Sequence, residues 1–156
     1  MQKILLYYKF TPISDPEAVK LWQKSLTDSL NLRGRIIVST QGLNGTVGGE
    51  MDDLRAYIKA TKQYEGFKDI VFKWSDGGRE DFPRMSVKNR RELVGFQNSD
   101  SEFEVDENGV VGGGVHLKPK QVHELIEKYG DDVVFFDGRN AHEAKIGKIG
   151  RASCRE

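Results

Sequence analysis

The order of strand-like and helix-like segments in residues 1–76 predicts an α+β sandwich of the ferredoxin-like type, βαββαβ. Short apolar runs typical of strands alternate with stretches in which apolar residues recur every three or four positions. The two middle strands follow each other closely enough to form a hairpin, whereas a helix separates each outer pair. Two right-handed crossovers around a hairpin give one sheet covered by two helices. A truncated α/β segment is predicted to follow.

The first strand and helix are indicated by an apolar run and by capping residues. Residues 4–10 are apolar enough for a strand in the middle of a sheet, and Pro12 ends it. Either Ser14 or Asp15 is suited to cap the helix, and Pro16 fits its first turn. The residues expected to form the buried face of this helix are Val19, Trp22, Leu26 and Leu30.

A hairpin over residues 33–49 is predicted to lie at the centre of the sheet. Residues 36–38 are β-branched and indicate a strand. The pair Asn44-Gly45 is expected to supply the positive φ angles of a tight turn, and the return strand is expected to begin at Thr46. Two interpretations of the tip remain open: an ordinary turn, or a polar loop that holds backbone groups ready for a ligand.

A second helix and a fourth strand complete the predicted sandwich. Asp52 and Asp53 are expected to open the helix, and the fourth strand is expected over residues 70–74. The residues expected to form the inner face of the second helix are Leu54, Tyr57, Ile58 and Thr61.

Residues 82–88 are predicted to form an extended arm within a cluster of basic residues. The basic residues of this cluster are Arg79, Arg84, Lys88, Arg90 and Arg91, and Trp74, Phe82 and Phe96 lie nearby. Cations among aromatic rings can hold a phosphate backbone and stack bases. The alternative is a solvated edge strand whose cations face water, since Glu80, Asp81 and Glu92 dilute the positive charge.

The composition excludes several classes of protein and site. The chain carries 24 basic and 24 acidic residues, so binding to nucleic acid would need a local basic patch. The single cysteine, Cys154, excludes an intrachain disulfide and a cysteine-based zinc cluster. His116 and His123 lack a third ligand of suitable spacing, so neither a metal site nor a cofactor is predicted. Without a membrane-spanning run or a cleavable signal pattern, a cytoplasmic protein is expected.

The second half of the chain is predicted to contain a linker and the beginning of another domain. The expected divisions are a first domain over 1–96, a linker over 97–114, an incomplete domain over 115–149 and a tail over 150–156. Pro119 is expected to start a helix, and residues 133–137 to form a buried strand. Because one helix and one strand cannot bury their own faces, this domain is expected to be incomplete. The tail has no periodicity and is expected to be non-native or truncated.

Six motifs resemble those of the bacterial family of rhodanese-domain-containing tRNA uridine hydroxylases, and they occur in the same order as in that family. They are Lys3-Ile4-Leu5-Leu6-Tyr7-Tyr8, Gly34-Arg35-Ile36-Ile37-Val38, Gly42-Leu43-Asn44-Gly45-Thr46, Lys73-Trp74-Ser75-Asp76, Phe82-Pro83-Arg84-Met85-Ser86-Val87-Lys88 and Asp137-Gly138-Arg139-Asn140-Ala141-His142-Glu143. Each motif is weak alone, but the ordered set is specific and extends to about Ile146.

The resemblance implies an N-terminal acylphosphatase-like domain, a linker, a rhodanese domain and a C-terminal extension. It also implies oxygen-dependent hydroxylation of the wobble uridine of certain tRNAs. Asp137, Arg139 and Glu143 match the opening Asp-x-Arg-x-x-x-Glu of rhodanese domains. The essential cysteine loop of that domain has no counterpart around Cys154, so no catalytic residue is assigned. The chain by itself is expected to lack hydroxylase and sulfurtransferase activity.

The topology also resembles that of acylphosphatases, but acylphosphate hydrolysis is not expected, because catalytic activity depends on the site and not on the fold. The phosphate loop of those enzymes needs glycines and an arginine, and residues 11–15 provide neither. Gln41 stands where they carry the asparagine that orients water.

Two functional hypotheses follow. In the first, the chain is the tRNA-docking part of a tRNA-modifying enzyme. The residues expected to bind tRNA are Arg35, Asn44, Trp74, Arg84, Lys88, Arg90 and Arg91. In the alternative, the first domain is a non-catalytic interaction module of a rhodanese-type sulfurtransferase. It would dock the intramolecular rhodanese domain, and tRNA binding would be negligible.

Overall fold

The computed structural model of the protein describes residues 1–93, 104–140, 145, 147 and 153–155. The chain divides into two units, Met1–Gly113 and Gly114–Glu156. The domain boundaries expected from the sequence remain predictions.

A five-stranded sheet and two helices form most of the first unit. The strands are β1 (Gln2–Phe10), β2 (Arg33–Ser39), β3 (Gly42–Glu50), β4 (Lys73–Ser75) and β5 (Met85–Asn89), and the helices are α1 (Pro16–Ser29) and α2 (Met51–Thr61). The strand order is β4-β1-β3-β2-β5. The antiparallel pairings of β1 with β3 and β4, and of β2 with β3, confirm the ferredoxin-like fold predicted from the sequence. Strand β5 extends this sheet by pairing parallel to β2.

Both helices pack against the same face of the sheet. Every second side chain along the central strands points to this face, as the period of a β-strand requires. The buried core residues are Leu5, Tyr7, Ile36, Val38, Leu43 and Val47 from the strands and Val19, Leu54 and Tyr57 from the helices. The residues between them in the strands therefore point to the opposite face.

Helix α1 has its predicted cap but a different buried face. The Asp15 carboxylate accepts a hydrogen bond from the backbone N–H of Ala18 at 3.0 Å, as an N-cap residue does. The fully buried residues are Val19, Gln23 and Thr27, whereas Trp22, Leu26 and Leu30 are half-buried. Gln23 and Thr27 can occupy buried positions because their polar groups have hydrogen-bond partners inside the core.

The turn of the hairpin lies at Thr40-Gln41, so the predicted turn at Asn44-Gly45 is wrong. Both residues of that pair lie inside β3 and pair with the two neighbouring strands. Gly45 is required there for a different reason, because a Cβ atom at this position would overlap the ring and hydroxyl of Tyr7. The glycine therefore permits close packing of an aromatic ring, and it does not provide a positive φ angle.

The fourth strand is shorter than predicted, because β4 pairs only with residues 4–6 of β1. Ile70 and Phe72 turn into the core instead of continuing the strand, and the Phe72 ring centroid lies 4.9 Å from that of Tyr7. An ion pair of 2.9 Å between Lys9 and Asp69 connects β1 to the segment before β4. In the described part of the chain, residues 7–10 of β1 thus have no strand partner on this side.

Two small strand pairs lie outside the large sheet. Strands β6 (Val105–Asp106) and β7 (Gly109–Val110) form an antiparallel pair in the first unit. The second unit contains α3 (Pro119–Tyr129) and the parallel pair β8 (Phe136–Asn140) and β9 (Ser153–Arg155).

The strand predicted over residues 133–137 is displaced toward the C-terminus. It begins at Phe136. Val133 and Phe135 are half-buried, whereas Val134 is 83% exposed and Phe136 is 72% exposed, so only one side of this apolar run is covered within the described residues. Strand β8 does not belong to the five-stranded sheet.

Candidate nucleic-acid interface

The face of the five-stranded sheet opposite the helices carries a band of side chains that we call the open face. It consists of two rows of residues that are direct neighbours across the strands. The first row is Lys73, Leu6, Thr46, Arg35 and Ser86, and the second is Tyr8, Asn44, Ile37 and Lys88. Since neighbouring strands lie about 4.8 Å apart, the rows span about 14 to 19 Å.

One margin of this side of the sheet is covered by the connection between β4 and β5. This connection contains a short 3-10 turn at Arg79–Asp81. A Cβ atom at Gly48 would come within 2.5 Å of the Gly78 carbonyl oxygen, so the turn lies directly on the sheet. The open face begins beyond this covered margin.

Tyr8 is the most exposed apolar side chain of the open face. It is 57% exposed, and Leu6 in the adjacent row is 40% exposed. The Tyr8 ring contacts Phe10 edge-on, with 6.1 Å between the ring centroids. An edge-on contact holds the ring in place without sandwiching it.

The charge of the open face is entirely positive. None of its nine residues is acidic. Arg35, Lys73 and Lys88 are exposed and form no ion pair with any residue that the structure describes. At the covered margin, by contrast, Arg33 is paired with Glu80 at 3.2 Å. A local positive potential therefore exists on a chain without net charge.

A hollow of about 500 Å³ lies beside Tyr8, where β1 extends beyond the end of β4. Its lining combines residues of the open face with residues 69–71 and includes Leu6, Tyr8, Asn44, Thr46, Lys73, Asp69, Ile70 and Val71. The carboxylate in this lining, Asp69, is paired with Lys9 at 2.9 Å. The hollow thus offers apolar surface, an amide and an ammonium group together.

The structure brings three of the predicted tRNA-binding residues together and separates a fourth from them. Arg35, Asn44 and Lys88 lie on the open face. Trp74 is the register partner of the core residue Leu5, so it points to the helix side of the sheet. A ligand on the open face would not stack on Trp74.

The other three predicted residues flank the edge strand β5. Arg84, Arg90 and Arg91 are all exposed. The backbone N–H of Arg90 donates to the Val38 carbonyl at 2.8 Å and continues the pairing of β5 with β2. The extended conformation predicted for residues 82–88 is confirmed from Met85 onward, whereas residues 82–84 form bends. The cations of this arm lie along the edge next to the open face.

Sequence reasoning did not single out Tyr8 or Lys73 as candidate site residues. Their positions follow from the alternation of inward and outward residues, because Leu5 and Tyr7 are buried while Leu6 and Tyr8 are exposed. The uninterrupted apolar run in β1 indicated burial on both faces and concealed this alternation.

The tip of the hairpin is closed by backbone hydrogen bonds. The N–H groups of Thr11 and Ile13 donate to the carbonyls of Gln41 and Thr40 at 2.9 and 3.0 Å. The Gln41 side chain accepts from the backbone N–H of Leu93 at 3.3 Å. The interpretation of the tip as an open ligand loop is therefore wrong, since both carbonyls of the turn already accept hydrogen bonds from the chain.

A buried chain of hydrogen bonds joins the sheet to both helices. The Tyr57 hydroxyl donates to Gln23 Oε1 at 2.6 Å, and the hydroxyls of Tyr7 and Tyr57 are hydrogen-bonded to each other. Gln23 Nε2 donates to Thr61 Oγ1 at 3.4 Å. Burial raises the pKa of both tyrosines above the ordinary value, so neither hydroxyl ionises near neutral pH. This network stabilises the core and does not provide a base or a nucleophile.

Two of the three predicted rhodanese-motif residues form an ion pair in the second unit. Arg139 Nη2 lies 2.6 Å from Asp137 Oδ2, and Arg139 Nε lies 2.9 Å from Asp137 Oδ1. Arg139 also donates to the Gly147 carbonyl at 2.7 Å. Glu143 lies outside the described residues. The pair therefore links β8 to the segment that follows it.

Within the described ranges, no cluster of three or more His, Cys, Asp or Glu side chains is arranged to hold a metal ion. None of the helices in those ranges has the length and apolar character needed to span a membrane.

Comparison with known proteins places these observations in a family. The UPF0176 acylphosphatase-like domain matches residues 2–93. A protein of Corynebacterium glutamicum named tRNA uridine(34) hydroxylase is 68% identical over 147 residues, which are 94% of this chain and 47% of that protein. A Rhodococcus erythropolis protein of the same name is 62% identical over 147 residues, covering 94% and 51% of the two chains. The chain thus spans about half the length of the curated relatives it matches.

A solved structure of similar topology is an acylphosphatase from Bacillus subtilis. It is 16% identical, has a TM-score of 0.45 and covers 56% of this chain and 99% of that chain.

The match over residues 2–93 includes α1, α2 and all five strands of the large sheet. It accounts for more than half of the chain and confirms the family expected from the six sequence motifs. The chain belongs to the UPF0176 family, whose acylphosphatase-like domain it carries in residues 2–93.

Proposed function

We propose that this chain is the tRNA-docking part of an enzyme that hydroxylates the wobble uridine of tRNA with oxygen. The names of relatives at 68% and 62% identity support the enzyme class. The resemblance to the hydroxylase family supports the use of oxygen. An enzyme acting on tRNA is expected in the cytoplasm. In this account the first unit binds the substrate, and the rhodanese domain of the complete enzyme supplies the chemistry.

The observation that carries the docking role is the positive charge of Arg35, Lys73 and Lys88 on the open face and of Arg84 and Arg90 beside β5. These five cations form no ion pair with any residue that the structure describes. Such cations bind RNA phosphates favourably, because each phosphate that they neutralise releases a counterion from the RNA. Arg35 and Lys88 would contact phosphates from the sheet, and Arg84 and Arg90 from its edge. On α1, by contrast, Lys20 and Lys24 are paired with carboxylates of their own helix at 2.9 and 2.6 Å.

The proposal predicts a salt-sensitive interaction with tRNA that depends on the β5 edge. Total tRNA is titrated against the chain in a mobility-shift assay at about 50 mM and about 200 mM salt. For the variant Arg84→Ala/Lys88→Ala/Arg90→Ala, we expect weaker binding. The slope of log affinity against log salt should become shallower by about 2 to 3, which corresponds to three lost phosphate contacts.

A matched control removes the same number of charges from the opposite side of the unit. The variant Lys20→Ala/Lys24→Ala/Arg55→Ala changes three cations on the helices, each paired with a carboxylate. We expect this control to bind like the wild type. Equal losses in both variants would exclude the β5 edge as the docking surface.

The alternative is a module that docks the rhodanese domain of the same enzyme. The exposed Leu6 on the open face favours it, because apolar surface is typical of protein contacts. The same assay separates the two functions. Absence of tRNA binding at the lower salt concentration would support the module and exclude the docking role.

A further inference from the structure

The geometry points to a base-stacking site for single-stranded RNA at the hollow beside Tyr8. This inference rests on the proposed tRNA-docking function and assigns the nucleotides of an unpaired loop to particular side chains. The Tyr8 ring would stack on a base, Asn44 would hydrogen-bond to its edge, and Lys73 would hold a neighbouring phosphate.

The position of Tyr8 in the sheet supports stacking. Strand β4 pairs with residues 4–6 of β1, so it does not extend alongside Tyr8. The side of Tyr8 that faces away from β3 therefore borders the hollow of about 500 Å³. The Tyr8 side chain is 57% exposed, and its hydroxyl forms no hydrogen bond with the described residues. Exposed aromatic rings on the strands of a small α/β sheet are a recurrent means of binding unpaired bases.

Asn44 provides a polar group at the right place to contact a stacked base. It is the direct neighbour of Tyr8 across β1 and β3, and such pairs have Cβ atoms about 5 Å apart. Its half-buried amide has no hydrogen-bond partner among the described residues, although it can donate and accept at once. The edge of a base held on the Tyr8 ring would therefore lie within reach of this amide.

The charges around the hollow favour a polyanion as the ligand. Lys73 borders Leu6 in the adjacent row, and Lys88 and Arg35 lie farther along the two rows. No carboxylate stands in either row, and Asp69 in the hollow is already paired with Lys9. A strand of RNA that crosses the open face would place a base on Tyr8 and phosphates on cations at both sides. A duplex has no unstacked base to offer to the ring.

The test compares an oligouridylate carrying one 2-aminopurine with an RNA duplex of equal length, using the complete chain and its Tyr8 variants. Emission of 2-aminopurine falls when the base stacks, so we expect quenching by the wild type and by Tyr8→Phe. Tyr8→Ala should abolish the quenching and weaken oligouridylate binding by about 5- to 150-fold, the range for one stacked base. Duplex binding should be the same in all three proteins.

Thermal unfolding of each variant serves as the control for folding, and Tyr8 is exposed enough for the variants to retain the wild-type midpoint. Salt-sensitive tRNA binding with no quenching, or with equal oligouridylate affinity in Tyr8→Ala, would overturn the stacking site and leave the docking function intact. If neither tRNA nor either RNA probe binds, both the stacking site and the docking function are overturned.

Discussion

At the scale of single residues, Gly45 shows how a short motif can have a different meaning from the usual one. Asn-Gly is typical of a tight turn, yet here the pair lies inside β3. The reason is the Tyr7 ring, which occupies the space that a side chain at position 45 would need. The sequence alone does not reveal that Tyr7 lies opposite Gly45 in the neighbouring strand, so the packing role of this glycine could not be predicted.

Replacement of Gly45 is expected to destabilise the first unit. Gly45→Ala should lower the free energy of unfolding by about 1–3 kcal/mol, because the methyl group overlaps the Tyr7 ring. Chemical denaturation measures the loss. The double variant Gly45→Ala/Tyr7→Leu should lose less than the sum of the two single variants. Simple additivity, or an unchanged Gly45→Ala, would refute this packing role.

The hydroxyl of Tyr57 is expected to contribute to the free energy of unfolding of the first unit. Tyr57→Phe leaves Gln23 Oε1 without its donor and the Tyr7 hydroxyl without its acceptor, both inside the core. We expect a loss of about 1–3 kcal/mol in the free energy of unfolding. Tyr8→Phe removes an exposed hydroxyl and should change stability by less than about 0.5 kcal/mol. Equal stabilities of the two variants would contradict the network.

At the scale of elements, long periodic segments were predicted well and short irregular ones were not. Helices α1 and α2 have apolar periods that are visible in the sequence, α1 also has its cap, and β1 is a long apolar run. Strand β4 was misplaced because Ile70 and Phe72 have strand-like character but turn into the core. Burial of Gln23 was missed because a polar residue is accepted inside only when its partners, here on α2, are known.

Ion pairs along β1 predict how stability depends on pH. Hydrogen bonds from Lys9 and Lys3 lower the pKa of Asp69 and Asp76 below the ordinary value of 3.8. A carboxylate whose pKa is lower in the folded state stabilises that state fully above its ordinary pKa, and this contribution is lost as the pH falls through the folded value. We therefore expect no contribution of these pairs to pH dependence near neutrality and a loss of stability below about pH 4.

Chemical denaturation at pH 7 and pH 3 tests this expectation at low salt. The variant Asp69→Asn/Asp76→Asn should lose less stability between the two pH values than the wild type, because it has two fewer carboxylates to protonate. Asp52→Asn/Asp53→Asn is a control that removes the same number of carboxylates from α2. Identical pH dependence in wild type and Asp69→Asn/Asp76→Asn would show that the β1 pairs are not responsible.

At the scale of the whole molecule, the resemblance of ordered motifs identified the family, and the sheet shows where residues of different motifs meet. Arg35, Asn44 and Lys88 come from three different motifs, and the strand register brings them onto one face. Trp74 comes from a fourth and points to the other side, which no linear pattern could reveal. The open face depends on the alternation of side chains along the strands, which the apolar run of β1 conceals in the sequence.

The most direct measurement of the central claim is photo-cross-linking of tRNA carrying 4-thiouridine to the chain, followed by identification of the modified peptides. If tRNA binds to the open face, the cross-links should lie in residues 6–10 of β1 and in residues 84–91 around β5. They should disappear when unlabelled tRNA competes. Cross-links confined to the outer surfaces of α1 and α2 would contradict the account.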